Sequence, residues 1–240
     1  MSTNMTVYLT SAIVSGVFWL LAYVGMIWRG FKDKLLGTPM LAISGNLAWE
    51  LTFAFLYPTP SKSIQYGATF WFLIESILAW QCFLYGYKDY KSQFIKKNFS
   101  VIFVTLTAIM LLVTVLLTYQ FNDSIGVYTG LAANALLSFF LIDLLIRRDD
   151  VCGQSLCIAV SKWIGSLAFA LATFVGGLPD MNTQLNIHTL PTLFTEIISN
   201  KTYPLIQNIF MYPLVFVLDI IYIVLLYRKF MEKKVNIWRF

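Results

Sequence analysis

Long apolar stretches, broken by short basic or turn-forming connections, set the pattern of this chain. Windows of about 20 apolar residues are long enough to cross a bilayer at a rise of 1.5 Å per residue. Seven such windows run approximately over 7–28, 40–57, 67–87, 99–119, 125–146, 155–175 and 205–227. The runs are long and lack alternation of period two, which predicts helices and not a barrel. Residues 1–240 are therefore expected to form one integral membrane domain, an all-α bundle of seven transmembrane helices. One connection is different. Residues 176–204 form a long outer loop, within which 191–199 reads as a short amphipathic helix at the interface. A loop of this length acts as a lid over a cavity or as a solvated linker.

Composition agrees with a membrane setting. The chain is 58% hydrophobic and 12% charged, where soluble domains carry about 25% charged residues. The net charge of +5 is explained by its distribution. Of the 17 Lys and Arg residues, 14 fall after the first, third and fifth windows or in the tail from Arg228. Basic residues collect on the cytoplasmic side, so the amino terminus is expected outside or in the lumen and the carboxyl terminus in the cytoplasm. Nucleic acid need not be invoked, although juxtamembrane Lys and Arg can meet anionic lipid head groups. The start of the chain lacks the charge and cleavage pattern of a removable signal peptide. A single histidine, His188, argues against a His-based metal centre. The three cysteines call for no disulfide; Cys82 reads as a packing residue. The expected location is a multi-pass membrane position, in the endoplasmic reticulum if the source is eukaryotic.

The informative residues are polar ones inside apolar windows. Each ionisable group there costs about 2.5–3.5 kcal/mol on insertion scales, so such groups face the bundle interior and mark function. The candidates are Glu50, Glu75, Asp143, Lys162 and Asp219. Asp143 lies one turn from Arg147, and an ion pair near the inner end accounts for it. Lys162 is expected to snorkel toward the inner surface. Glu50, Glu75 and Asp219 are deeper. Helical spacing gives them company: Asn46, Glu50, Phe53 and Tyr57 on one face, Trp71 and Glu75 on a second, Tyr212, Phe216, Asp219 and Tyr222 on a third. The plainer reading is a polar clamp holding helices together.

The chemistry of such a setting is definite. A carboxyl removed from water favours its neutral form, and a neutral carboxylic acid in an apolar pocket is a proton donor at neutral pH. Aromatic faces attract cations by roughly 0.5–2 kcal/mol each. Acid, aromatic rings and a dry chamber suit protonation of a lipophilic alkene or epoxide, with the carbocation shielded from water.

The run "GNLAWE" at 45–50, the "YP" at Tyr57–Pro58, and "VLDIIYIVLLY" at 217–227 carry a resemblance. Together they resemble the small integral-membrane terpene cyclases of meroterpenoid and indole-diterpene pathways, which have a similar length and seven predicted helices. The likeness covers nearly the whole chain in layout and these segments in specific residues. The resemblance implies catalytic roles for Glu50 and Asp219 in starting cyclisation by protonation, without a metal or other cofactor. Asn46, Trp49, Phe53, Trp71, Glu75, Phe216 and Tyr222 are the residues expected around the substrate. That substrate would be a lipophilic polyprenyl group, epoxidised or not, entering from the lipid. No obligate protein partner is implied. Both acids are expected to stay neutral until they act, and neither is assigned as donor. Pro213 is expected to kink the last helix.

Other seven-helix classes fit less well. The last helix lacks the lysine that retinal needs and the N-P-x-x-Y pattern of G-protein-coupled receptors. A proton-coupled transporter would use buried acids too, but no matching broken helices or inverted repeats are evident. A metal-dependent prenyltransferase needs spaced acidic sets, and the adjacent Asp149 and Asp150 have no second set.

Overall fold

The computed structural model describes residues 3–60, 62–173 and 210–238. Among them the chain is helical: α1 (Thr3–Asp33), α2 (Met40–Leu51), α3 (Lys62–Tyr85), α4 (Gln93–Lys97), α5 (Phe99–Gln120), α6 (Val127–Arg148), α7 (Leu156–Leu171) and α8 (Tyr212–Lys233). A π turn over Thr52–Leu56 continues α2, and a 3₁₀ turn over Gly86–Asp89 continues α3. Among the described residues, four helical stretches are long and apolar enough to cross a membrane: Met5–Asp33, Lys62–Asp89, Phe99–Gln120 and Val127–Arg148. Met40–Leu56 and Leu156–Leu171 are apolar but shorter. The expected lid or linker at 176–204, with its interfacial helix, and the start of the last window lie outside the described residues.

Local chemistry explains where the helices begin and end. The Asp123 carboxylate caps α6, accepting from the backbone N–H of Val127 at 2.8 Å and of Thr129 at 2.9 Å. A side-chain oxygen at a helix start satisfies donors that have no partner inside the helix. Ser155 does the same for α7, its Oγ accepting from the Cys157 N–H at 3.1 Å. Lys34, Asp149 and Lys234 end α1, α6 and α8 in the left-handed region. The chain before Phe210, against which a kink at Pro213 would be seen, lies outside the described residues. Pro213 stands in the first turn of α8, which directly follows the π-helical Phe210 and Met211.

Packing closes a ring. Helix α1 lies along α7, α7 along α8, α8 along α6, α6 along α2, α2 along α3 and α3 along α1, while α5 covers α2 from outside. The α1/α7 contact is close because its residues are small: Ser15 Oγ donates to the Gly165 carbonyl at 2.9 Å. A Cβ on Gly165 would come 2.8 Å from the Trp19 ring. Two apolar clusters fill the interior, one around α1, α2 and α3 and one around α6, α7 and α8, and Trp19 packs against both.

One end of the bundle gathers the basic connections. Arg148 forks onto Asp89 with two bonds of 2.7 Å and donates to the Leu36 carbonyl at 2.7 Å. Lys88 reaches the Lys34 carbonyl at 3.0 Å, and Lys229 pairs with Asp149. The opposite end holds the Trp49 bond to the Gly126 carbonyl and the Tyr57–Tyr119 ring contact. Asp143 and Arg147 form the expected ion pair at 2.7 Å.

Candidate active site

The interior of the ring contains two polar stations. The first lies between α1, α2 and α3. Asn46 and Glu50, four residues apart on α2, face α3, where Glu75 is fully buried. Asn46 Nδ2 donates to the Tyr23 hydroxyl at 3.2 Å and to Glu75 Oε2 at 3.4 Å. Tyr23 lies within electrostatic reach of Glu75. Glu50 is 2% exposed and in electrostatic reach of Glu75. Glu50 Oε2 and Glu75 Oε1 make no hydrogen bond among the described residues. Trp71 stacks on Tyr23 with ring centres 5.2 Å apart.

The second station lies between α6, α7 and α8. Lys162 Nζ donates to Asp219 Oδ1 at 2.7 Å and to Ser138 Oγ at 2.7 Å. Both charged side chains are 1% exposed. Asp219 Oδ2 has no hydrogen-bond partner among the described residues. Tyr222, one turn further along α8, is buried beside them. Here the sequence reading of Lys162 is corrected. Lys162 does not snorkel, because a buried acid on the neighbouring helix offers its ammonium an ionic partner inside the bundle. Asp219, for the same reason, is not isolated: its Oδ1 accepts from Lys162 Nζ.

Aromatic rings join the stations. The Lys162 ammonium lies 5.4 Å from the centre of the Trp19 ring, and Trp19 lies 6.0 Å from Tyr23. An apolar cavity of about 300 Å³ adjoins the second station. Its lining includes Asn134 on α6, Trp163 and Ser166 on α7, and Tyr212, Val215 and Phe216 on α8. Asn134 to Ser138, Ser166 to Lys162 and Val215 to Asp219 are each one helical turn, about 5.4 Å. All three steps lead toward the basic end, so the ion pair stands below the cavity.

The other expected substrate residues fall in different places. Phe216 lines the cavity and stacks on Trp163 at 5.7 Å. Trp49 and Phe53 pack together at 5.1 Å against Gly126, at the junction of α2 with α6. The expected face of Asn46, Glu50, Phe53 and Tyr57 assumed an uninterrupted helix. A π turn over Thr52–Leu56, marked by the Tyr57 N–H bonding to the Thr52 carbonyl at 2.8 Å, ends that helix, and the Phe53 and Tyr57 rings stay in contact at 5.9 Å. Such turns are common at functional sites. Sequence reasoning missed Tyr23, Trp19 and Ser138, and missed that Lys162 faces Asp219. The available signal for the last was charge balance, one basic and one acidic residue in otherwise apolar windows.

Comparison with known proteins adds an independent line. Residues 2–177 match the family described as Pyr4-like transmembrane terpene cyclases. The chain is 29% identical over 203 residues to the Pyr4-family terpene cyclase mfmH of Annulohypoxylon moriforme, covering 81% of this chain and 82% of that protein. It is 22% identical over 160 residues to the asnovolin H synthase nvfL of Aspergillus novofumigatus, covering 66% of each. To the terpene cyclase penB of Penicillium crustosum it is 29% identical over 161 residues, covering 65% of this chain and 66% of the relative. No solved structure matches.

Proposed function

The chain belongs to the Pyr4-like transmembrane terpene cyclases, and from that premise we propose that it cyclises a polyprenyl group by acid initiation inside the membrane. The substrate is a lipophilic prenylated molecule, with a terminal epoxide or a plain terminal alkene, that enters from the lipid. Glu50 and Asp219 are the catalytic carboxyls. One gives a proton to the epoxide oxygen or alkene as general acid. The chain's own double bonds then attack the cationic carbon in turn, and loss of a proton from carbon ends the sequence. Substrate and product are isomers, so no co-substrate is consumed, and the proposed acid initiation calls on no metal ion. Asp149 and Asp150 are engaged elsewhere, with Lys229 and with the Cys152 N–H.

The observation that carries this reading is the pair of buried stations on one ring interior, each with an unpartnered carboxylate oxygen. Trp71, Phe216 and Tyr222 stand near enough to offer ring faces to cationic carbons. Asn46 and Glu75 position Glu50, while Trp49 and Phe53 shape the outer end of the chamber. A prefolded substrate in a rigid chamber closes its rings in one conformational sense. The whole chain acts as a single seven-span domain with its amino terminus outside and its carboxyl terminus inside, a reading supported by the gathering of basic connections at one end.

The test uses microsomes containing the protein, an epoxidised prenyl substrate and EDTA. Cyclic product is expected to form undiminished by the chelator. Glu50→Gln and Asp219→Asn are each expected to lower wild-type product by about 100-fold or more, with unchanged amounts of protein in the membrane. Full product from both variants would refute the assignment, and loss of turnover in EDTA would favour metal chemistry. Movement of an unchanged solute across sealed vesicles would identify a transporter instead.

A further inference from the structure

We infer that Lys162 is a positioning residue that holds Asp219 as a carboxylate, making Glu50 the proton donor and Asp219 the acceptor of the final proton. This rests on the acid-initiated cyclisation proposed above and divides its two acids by role.

The Lys162–Asp219–Ser138 geometry is the first support. Lys162 Nζ is 2.7 Å from Asp219 Oδ1, and both side chains are 1% exposed. Asp219 is the one acid paired with Lys162 among the described residues. Ser138, its other polar contact, is neutral. A proton resting on Asp219 would leave the ammonium buried without a counter-charge, which is strongly unfavourable. Asp219 therefore enters the reaction ionised, and an ionised carboxylate cannot start it.

The first station is built the opposite way. No basic side chain pairs with Glu50 among the described residues, and its charged neighbour is another acid, Glu75. Two close carboxyls hold one proton between them more readily than they both ionise. Asn46 is committed to Glu75, whose anion it can stabilise by donating a hydrogen bond, and the Tyr23 hydroxyl lies beside them. The proton is left to Glu50.

The cavity places the end of the reaction. It stands one turn above the ion pair on all three surrounding helices. The step can be written with every atom placed. Glu50 transfers its proton to the epoxide oxygen, the carbon–oxygen bond breaks, and successive alkenes close rings onto the cation. The last cation loses a neighbouring hydrogen to Asp219 Oδ2, and the electrons of that carbon–hydrogen bond become the product alkene. The Lys162 ammonium disfavours the protonated Asp219 that results, so the proton leaves to solvent. Solvent recharges Glu50, and the net reaction is an isomerisation.

The experiment measures kcat, KM and the product spectrum of the full chain in microsomes, on an epoxidised prenyl-arene. Lys162→Met is expected to go on consuming substrate with KM within about twofold, while wild-type product falls by about 100-fold. Incompletely cyclised products and alcohols from capture of the cation by water should replace it. Lys162→Arg should restore the wild-type product in part. Should Lys162→Met fail to accumulate in the membrane, the double variant Lys162→Met/Asp219→Asn leaves no unpaired charge and should give the same early-terminated products. Wild-type product at the wild-type rate from either variant would overturn the inference. So would complete loss of substrate consumption in a folded Lys162→Met protein, since that would place Lys162 in initiation. Glu50→Gln separates the two levels: it should consume nothing, and turnover at the wild-type rate would refute acid initiation at Glu50 itself.

Discussion

Asn46 shows how much one side chain can organise in a dry interior. Its amide bridges the Tyr23 hydroxyl and Glu75 Oε2, so three helices meet on a single donor group. Replacing it by leucine keeps the branched shape and removes both bonds. A buried acceptor that loses its partner costs about 1–3 kcal/mol, so Asn46→Leu should lower the melting temperature of the detergent-solubilised protein. Product formation should fall further than folding does, because Glu75 would then compete with Glu50 for the shared proton. A variant with unchanged melting and unchanged product would remove Asn46 from the site. Its i, i+4 relation to Glu50 is plain in the sequence, whereas its partners are not, since Tyr23 lies 23 residues away and Glu75 29 residues away.

Elements place these residues through a few backbone details. The N-cap of α6 is Gly126 with φ of 75°, and its carbonyl accepts the Trp49 indole N–H at 2.8 Å. A Cβ there would lie 2.8 Å from both the Trp49 and Phe53 rings. Gly126→Ala should therefore destabilise the protein by about 1–3 kcal/mol from left-handed strain and the lost contact geometry, read as a lower thermal midpoint. An unchanged midpoint would mean that the α2/α6 junction is not tightly held. The π turn after Glu50 belongs to the same scale. Apolar periodicity cannot reveal such a turn; in the structure Phe53 meets Trp49, Tyr57 and Gly126. Helix existence was legible because long apolar runs leave few alternatives in a bilayer.

The described helices form a ring with the basic connections gathered at one end, which bears on orientation. Arg148, Lys88 and Lys229 converge on one end through bonds to Asp89, Lys34 and Asp149. If that end is cytoplasmic, a glycosylation acceptor tag on the amino terminus should be modified in microsomes and one on the carboxyl terminus should not. The reverse pattern would invert the topology. At this scale the division between sequence and structure is clear. Composition, spacing and charge by themselves determined a helical membrane protein, the end at which its basic connections gather, and the buried acids Glu50, Glu75 and Asp219, because transfer of polar groups into hydrocarbon is so costly that any exception stands out. Only the tertiary structure decided that Lys162 pairs with Asp219, that Tyr23 and Asn46 serve Glu75, and that a cavity rests above the ion pair. Those facts depend on which helix lies beside which, and a period of 3.6 residues reports the face of a helix but not the neighbour that face will meet.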